Sequence, residues 1–183
     1  MGNKISELSG SHLQFIAEQK IYFVATATAE SRVNVSPKGM DTLKVLSCNS
    51  VAWLNVTGSG NETSAHIPQN PRMTIMFCAF EGTPLILRLY GIAKVVHKHD
   101  PEWNELSKMF KSLPGARQIF VLSIDLVQNS CGMAVPYFSY DGERGLLNEW
   151  AVKKGEEGLM QYQEEKNQMS IDGIPTNILA KGG

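Results

Sequence analysis

The sequence predicts a mainly β protein, an antiparallel barrel with peripheral α-helices, and three observations carry that reading. Seven strand-like runs fit between Tyr22 and Ile124. Tight turns at Asn49-Ser50 and Glu81-Gly82-Thr83 favour antiparallel neighbours. The long crossover helices that parallel strands require are missing from the pattern.

In chain order, Ser11 precedes 12–19, where Leu13, Ile16 and Ala17 share one face, so a short amphipathic helix is expected. Residues 22–28 and 32–36 read as a hairpin turning at 29–31, and Pro37 is expected to end regular pairing. Further strands are expected at 42–46, 51–56, 73–80, 85–96 and about 118–124. Helices insert at about 62–69, which Pro71 ends, and from Asp100-Pro101 to Leu113, where aspartate caps and proline opens the first turn. A third helix is expected at about 156–166. No internal repeat or linker divides the chain, so residues 1–183 are expected to form one domain, with the barrel at about 15–130 and a C-terminal helix and tail at about 145–183.

Composition excludes several partner classes. The net charge is −1 and the basic residues are scattered, so neither a nucleic-acid footprint nor a polybasic membrane face is expected. The N-terminal Met1-Gly2-Asn3-Lys4-Ile5-Ser6 lacks the apolar core of a signal peptide, and no apolar run approaches bilayer length, which points to the cytoplasm. The same hexapeptide matches a permissive myristoylation pattern. Cys48, Cys78 and Cys131 have no C-x-x-C spacing, so buried reduced thiols are expected. Asn34, Asn55 and Asn61 sit in N-x-S/T sequons; without secretion their side chains stay free for other work.

The stretch 53–63 carries the most chemistry. It runs from an apolar strand through Gly58-Ser59-Gly60 into a helical pattern, the layout of a phosphate cradle. Thr57, Ser59, Asn61 and Thr63 offer hydroxyl and amide groups there. A second candidate cradle, Val35-Ser36-Pro37-Lys38-Gly39, lies upstream. Neither a dinucleotide G-x-G-x-x-G nor a P-loop is present, and no G-x-S-x-G nucleophile elbow appears. Arg88 falls on the less apolar face of a long strand, where a fixed cation needs an anionic partner. His97 and His99 share a face beside Asp100, but Asp100 is required as a cap and the histidines are expected to face solvent, so no metal site is assigned. His66 either lines a ligand site or closes the barrel.

Taken together, 32–39, 57–66, Asn70-Pro71-Arg72 and 88–91 resemble the flavin-binding split barrel of the pyridoxamine 5'-phosphate oxidase-like family over most of 15–130. The resemblance implies an antiparallel split β-barrel, FMN as cofactor, and a homodimer with FMN at its interface. In the family pattern Arg32 and 33–38 run along the flavin, Val56 and Thr57 lie beside the ribityl chain, Thr63 falls on a phosphate-binding position, and Arg88 sits on the strand leading to the interface. The candidate cofactor set is Arg32, Val35, Ser36, Pro37, Lys38, Gly39, Asn55, Val56, Thr57, Gly58, Ser59, Asn61, Thr63 and Arg88, with catalytic residues unassigned. The vitamin oxidases carry arginine and lysine where this chain has Glu62 and Thr63, and their C-terminal tryptophan-arginine substrate motif is replaced by a tail containing 170–176. The implied function is therefore an FMN-dependent oxidoreductase acting on another small organic molecule, with a non-catalytic flavin sensor or a haem- or deazaflavin-binding barrel as alternatives.

Overall fold

A computed structural model describes residues 4–179. Met1, Gly2 and Asn3, which open the acylation-pattern match, lie outside the described residues, as does 180–183. The elements run β1 (Lys4–Ile5), α1 (Gly10–Glu18), β2 (Tyr22–Thr26), β3 (Asn34–Lys38), β4 (Leu43–Ser47), β5 (Ser50–Val56), α2 (Glu62–His66), β6 (Arg72–Cys78), β7 (Ile86–His97), α3 (Trp103–Ser107), β8 (Ala116–Ser130) and α4 (Leu146–Lys166).

All strand pairings are antiparallel, in the order β3-β2-β6-β7-β8-β5-β4, with β1 added to β8. The long strand β8 makes the split: its first half pairs with β5 as far as Ser123, and its second half leaves β5 and takes β1 at Val127 and Gln128. β7 accompanies β8 along both halves, with a register shift between Tyr90 and Gly91. The fold is thus the mainly β antiparallel split barrel that the sequence predicts.

Period-two alternation builds the core. Val24, Ile75, Phe77, Leu87, Leu89, Leu122 and Val127 point inward and are sealed from solvent. Trp53 and Phe120 face each other across β5 and β8 with ring centroids 4.6 Å apart, a cross-strand aromatic pair that fixes register as well as burying area. A second cluster, centred on Leu54, Val96, Phe110 and Ile119, lies under α3 and the turns that follow it.

Several sequence expectations change. Pro37 pairs within β3, opposite Phe23; β3 is an edge strand, so the missing N–H interrupts no ladder. Ser9, not Ser11, caps α1, and Leu13 stays 39% exposed while His12 and Ile16 face inward. α3 is one short helix rather than a run to Leu113, because none of its residues is buried and an exposed helix of that length is not self-supporting. Asp100 accepts from the His97 backbone N–H at 2.7 Å instead of capping α3. α4 begins ten residues before the expected start at 156, and Gly155, at φ +68°, breaks it where the two helical patterns meet. Only Cys78 is buried; Cys48 and Cys131 are exposed. His97 is buried and stacked on His99, and burial holds its imidazole below the usual histidine range. Among the described residues no helix is long and apolar enough to cross a membrane, and no cluster of three potential metal ligands occurs.

Candidate functional site

A cleft of about 340 Å³ opens between β3, β5, the loop after β5, and the start of α4. Alternation along β3 turns Asn34, Ser36 and Lys38 to one side and leaves Val35 60% exposed on the other. The Lys38 ammonium lies 5.0 Å from the centroid of the Trp53 ring, within cation–π range. Burial, and secondarily the nearby Arg117 charge, lowers the Lys38 pKa to about 8. At the end of β3 the chain turns through Met40 and Asp41, both with left-handed φ, 63° and 53°. Non-glycine residues held there store strain, and Gly39 and Met40 line the cleft at this bend.

On the opposite wall β5 ends at Val56 and the chain enters the loop 57–61. Asn55, Val56, Gly58, Ser59, Asn61 and Thr63 all line the cleft with Ser36, Pro37, Lys38 and Gly39. The two stretches that the sequence singles out are therefore neighbours in space, linked by Asn34 Nδ2 donating to Thr63 Oγ1 at 3.2 Å. Polar atoms remain without partners here: Ser36 Oγ, Trp53 Nε1 and Asn61 Oδ1 are buried and unbonded. Such atoms cost free energy unless something satisfies them.

Three candidates are placed elsewhere. Thr57 is fully buried beside the loop, and its hydroxyl is committed, donating to the Gly115 carbonyl at 2.9 Å and accepting from Gln163 Nε2 at 2.8 Å. Arg32 is exposed outside the cleft and pairs with Asp172, whose carboxyl is held below the usual range first by the Arg32 backbone N–H, donated at 2.9 Å, and then by its guanidinium. Arg88 lies on the outer face of the sheet and donates to Ser130 Oγ at 3.1 Å. His66 is buried, its Nδ1 3.1 Å from Thr26 Oγ1, and it does not line the cleft.

The cation that the sequence reading omits is Arg117. It enters from β8, is 4% exposed, and reaches the cleft beneath the glycine loop. Its Nη1 donates to Asn167 Oδ1 and its Nη2 to the Gly60 carbonyl, both at 2.6 Å. The Asn55 amide lies 3.2 Å from Nε and Nη2 and accepts from both when its oxygen faces the guanidinium. Burial pushes the Arg117 pKa down to about 10, leaving it charged at neutral pH. Glu62, which occupies a position of positive charge in the vitamin oxidases, turns its carboxylate to the Ile171 N–H at 3.1 and 3.2 Å. The signals for Arg117 and Asn34 were a cation at the head of an apolar strand and the parity of Ser36 and Lys38.

Fold and cleft together define a class: a split-barrel protein whose cleft gathers cations and unbonded polar groups around a glycine loop. The model of the family described as pyridoxamine 5'-phosphate oxidase matches residues 8–131. The "pyridoxamine 5'-phosphate oxidase family protein ustO" of Aspergillus flavus is 37% identical over 188 aligned positions, covering 92% of this chain and 75% of that protein. The chain belongs to the pyridoxamine 5'-phosphate oxidase family. Among solved structures, a HupZ variant from Group A Streptococcus superposes with a TM-score of 0.55 at 17% identity, covering 67% of this chain and 99% of that one. A Clostridium acetobutylicum protein related to general stress protein 26, of the pyridoxinephosphate oxidase family, gives 0.53 at 11% identity, covering 66% and 86%. At these identities the structural likeness concerns the fold.

Proposed function

We propose that the protein binds FMN non-covalently in this cleft, as a homodimer, and works as an oxidoreductase on a small organic molecule. The observation that carries the reading is the convergence of Lys38 and Arg117 on a cleft where Ser36 Oγ, Trp53 Nε1 and Asn61 Oδ1 are buried without partners. Ser36 Oγ and Trp53 Nε1 can donate and Asn61 Oδ1 can accept, which fits a ligand with an anionic end and a flat body that carries both acceptors and N–H groups. Family membership supports the same ligand class.

When bound, FMN supplies the electron-transfer chemistry, and the chain's residues bind, orient and exclude water. Arg117 and Lys38 hold negative charge, with the Ser36 and Thr63 hydroxyls free to donate beside it. Trp53 forms an apolar wall whose edge N–H is free to donate. Lys38 favours ligand states that carry more negative charge. Among the described residues Glu62 is the one carboxylate that lines the cleft, and it is engaged by the tail. Burial of His66 away from the cleft disfavours an axial-ligand role and with it the haem reading.

The test is titration of purified protein followed by flavin fluorescence quenching, with mass spectrometry of any copurified ligand. FMN is expected to bind at micromolar concentration or below, more tightly than FAD. Failure of FMN to bind in that range would falsify the cofactor assignment. Turnover of bound flavin with a reduced nicotinamide and oxygen then separates an enzyme from a flavin sensor.

A further inference from the structure

The C-terminal segment packs on the glycine loop at successive points. Gln163 Nε2 donates to Thr57 Oγ1 at 2.8 Å, Asn167 Nδ2 to the Gly58 carbonyl at 3.0 Å, and Asn61 Nδ2 to the Asn167 carbonyl at 3.4 Å. Farther along, Ser64 Oγ donates to the Thr176 carbonyl at 2.8 Å, and Thr176 Oγ1 donates to the Asn167 carbonyl at 2.6 Å. Asn167 is the hub of these contacts and is fully buried. It also receives Arg117 Nη1 at 2.6 Å. One amide thus fixes both the loop backbone, through Gly58, and the cation beneath it, through Arg117.

A guanidinium has five N–H groups; Asn167 and Gly60 take one each and the Asn55 oxygen two, so one Nη1 N–H is left for a ligand oxygen. The neutral Asn167 amide accepts from Arg117 without cancelling its charge, which a carboxylate at this position would do. That matters because Glu62 places negative charge at the loop, so the positive charge must arrive from below.

We infer that Asn167 is a positioning residue for anion binding, and that the C-terminal segment clasps the loop so that Arg117 supplies the charge that the rim lacks. The inference rests on the reading of the cleft as an FMN site. Vitamin oxidases place cations on the rim itself; this chain delivers one from β8 and needs its tail to hold that cation in place.

The experiment compares wild type, Asn167→Ala, Asn167→Asp and Thr176→Val in the full chain. The readouts are FMN and riboflavin affinities, and amide hydrogen exchange at Thr57, Ser64 and Ala65, whose bonded N–H groups flank the loop. Asn167→Ala is expected to weaken FMN about tenfold, the scale of one charged hydrogen bond, and riboflavin less than about twofold. Asn167→Asp keeps the Arg117 acceptor in an isosteric side chain while neutralising the cation, so it should lose FMN selectively even if the alanine variant folds poorly. Thr176→Val loosens the tail without touching Arg117 and should shift both ligands by one small common factor. Equal losses of FMN and riboflavin in the Asn167 variants, or a selective loss in Thr176→Val, would overturn the positioning role. If wild type binds neither flavin, the cofactor reading fails by itself. The clasp is then judged on exchange: faster exchange at Thr57, Ser64 and Ala65 in Asn167→Ala, with a smaller rise in Thr176→Val, supports it, and unchanged exchange in Asn167→Ala refutes it.

Discussion

Burial sets the charge state of Lys38 and thereby a pH dependence. Its folded pKa of about 8 lies below the ordinary lysine value of 10.5, so the free protein loses this positive charge as pH rises through about 8. A bound phosphate raises that pKa, so affinity is full below about 8 and declines above it, by up to about tenfold per pH unit, until the bound-state value is reached. FMN affinity is expected to fall as pH rises from about 8 to about 9.5, while Lys38→Arg flattens the profile by keeping its charge. Without ligand the linkage has the opposite sign: between about 8 and 10.5 the unfolded chain binds the extra proton, so stability rises with pH. FMN titrations and urea unfolding of the ligand-free protein, each at stepped pH, check the two; an unchanged affinity slope in Lys38→Arg would remove Lys38 from the anion site. At this scale the sequence was legible where residue type sufficed, as for Ser36, Lys38, Asn61 and Thr63. It was not legible for Arg117, because the partners that turn a strand arginine into a buried cleft cation, Asn167 and the Gly60 carbonyl, lie 50 and 57 positions away.

Among the elements, β7 and β8 are held together by a close approach that a single glycine permits. A Cβ built on Gly91 meets the Ser123 carbonyl oxygen at 1.9 Å, at the register shift between Tyr90 and Gly91. Backbone on both strands must move to admit even alanine. Gly91→Ala is expected to destabilise the protein by about 3 kcal/mol or more, at the upper end of overpacking penalties. Urea unfolding gives the answer, through a lower midpoint with an unchanged slope; a midpoint within error of wild type would mean that the bulge relaxes freely. The alternation of Leu87 and Leu89 with Arg88 and Tyr90 made β7 readable from sequence, and β6 was readable for the same reason. Pro37 misled because whether proline breaks pairing depends on edge position, a tertiary fact. The first half of α4 escaped notice although Leu146, Leu147, Trp150 and Val152 are apolar, because Ala151 is the one residue it buries and Leu146 and Val152 stay exposed. Gly155 then separates it from the half that was recognised.

For the whole molecule, the cleft and the outer face of the sheet meet at β3. Cross-strand register lines up Val35, Ala25, Thr74, Tyr90 and Leu126 in one row, and Pro37, Phe23, Met76, Arg88 and Gln128 in the next. These side chains are half-buried or exposed, and many are apolar. Pro37 belongs both to the second row and to the cleft wall, so a second copy seated on this face reaches the cleft rim. The cleft's volume is near the lower limit of ligand pockets, roughly 300–1,000 Å³, which suits a half-site completed by a partner. Arg88, remote from its own cleft, falls within the proposed interface. Dimerisation and flavin binding are then linked: FMN should raise the dimer's thermal midpoint by mass action, and dilution into monomer should release it. Met76→Glu places a charge in the middle of the second row while leaving the inward-facing core untouched. It is expected to give a folded monomer, by circular dichroism, that has lost FMN. Sedimentation velocity followed at the flavin's visible absorbance decides the matter, because a monomer carrying full flavin occupancy, in wild type or variant, would exclude a site shared between two copies.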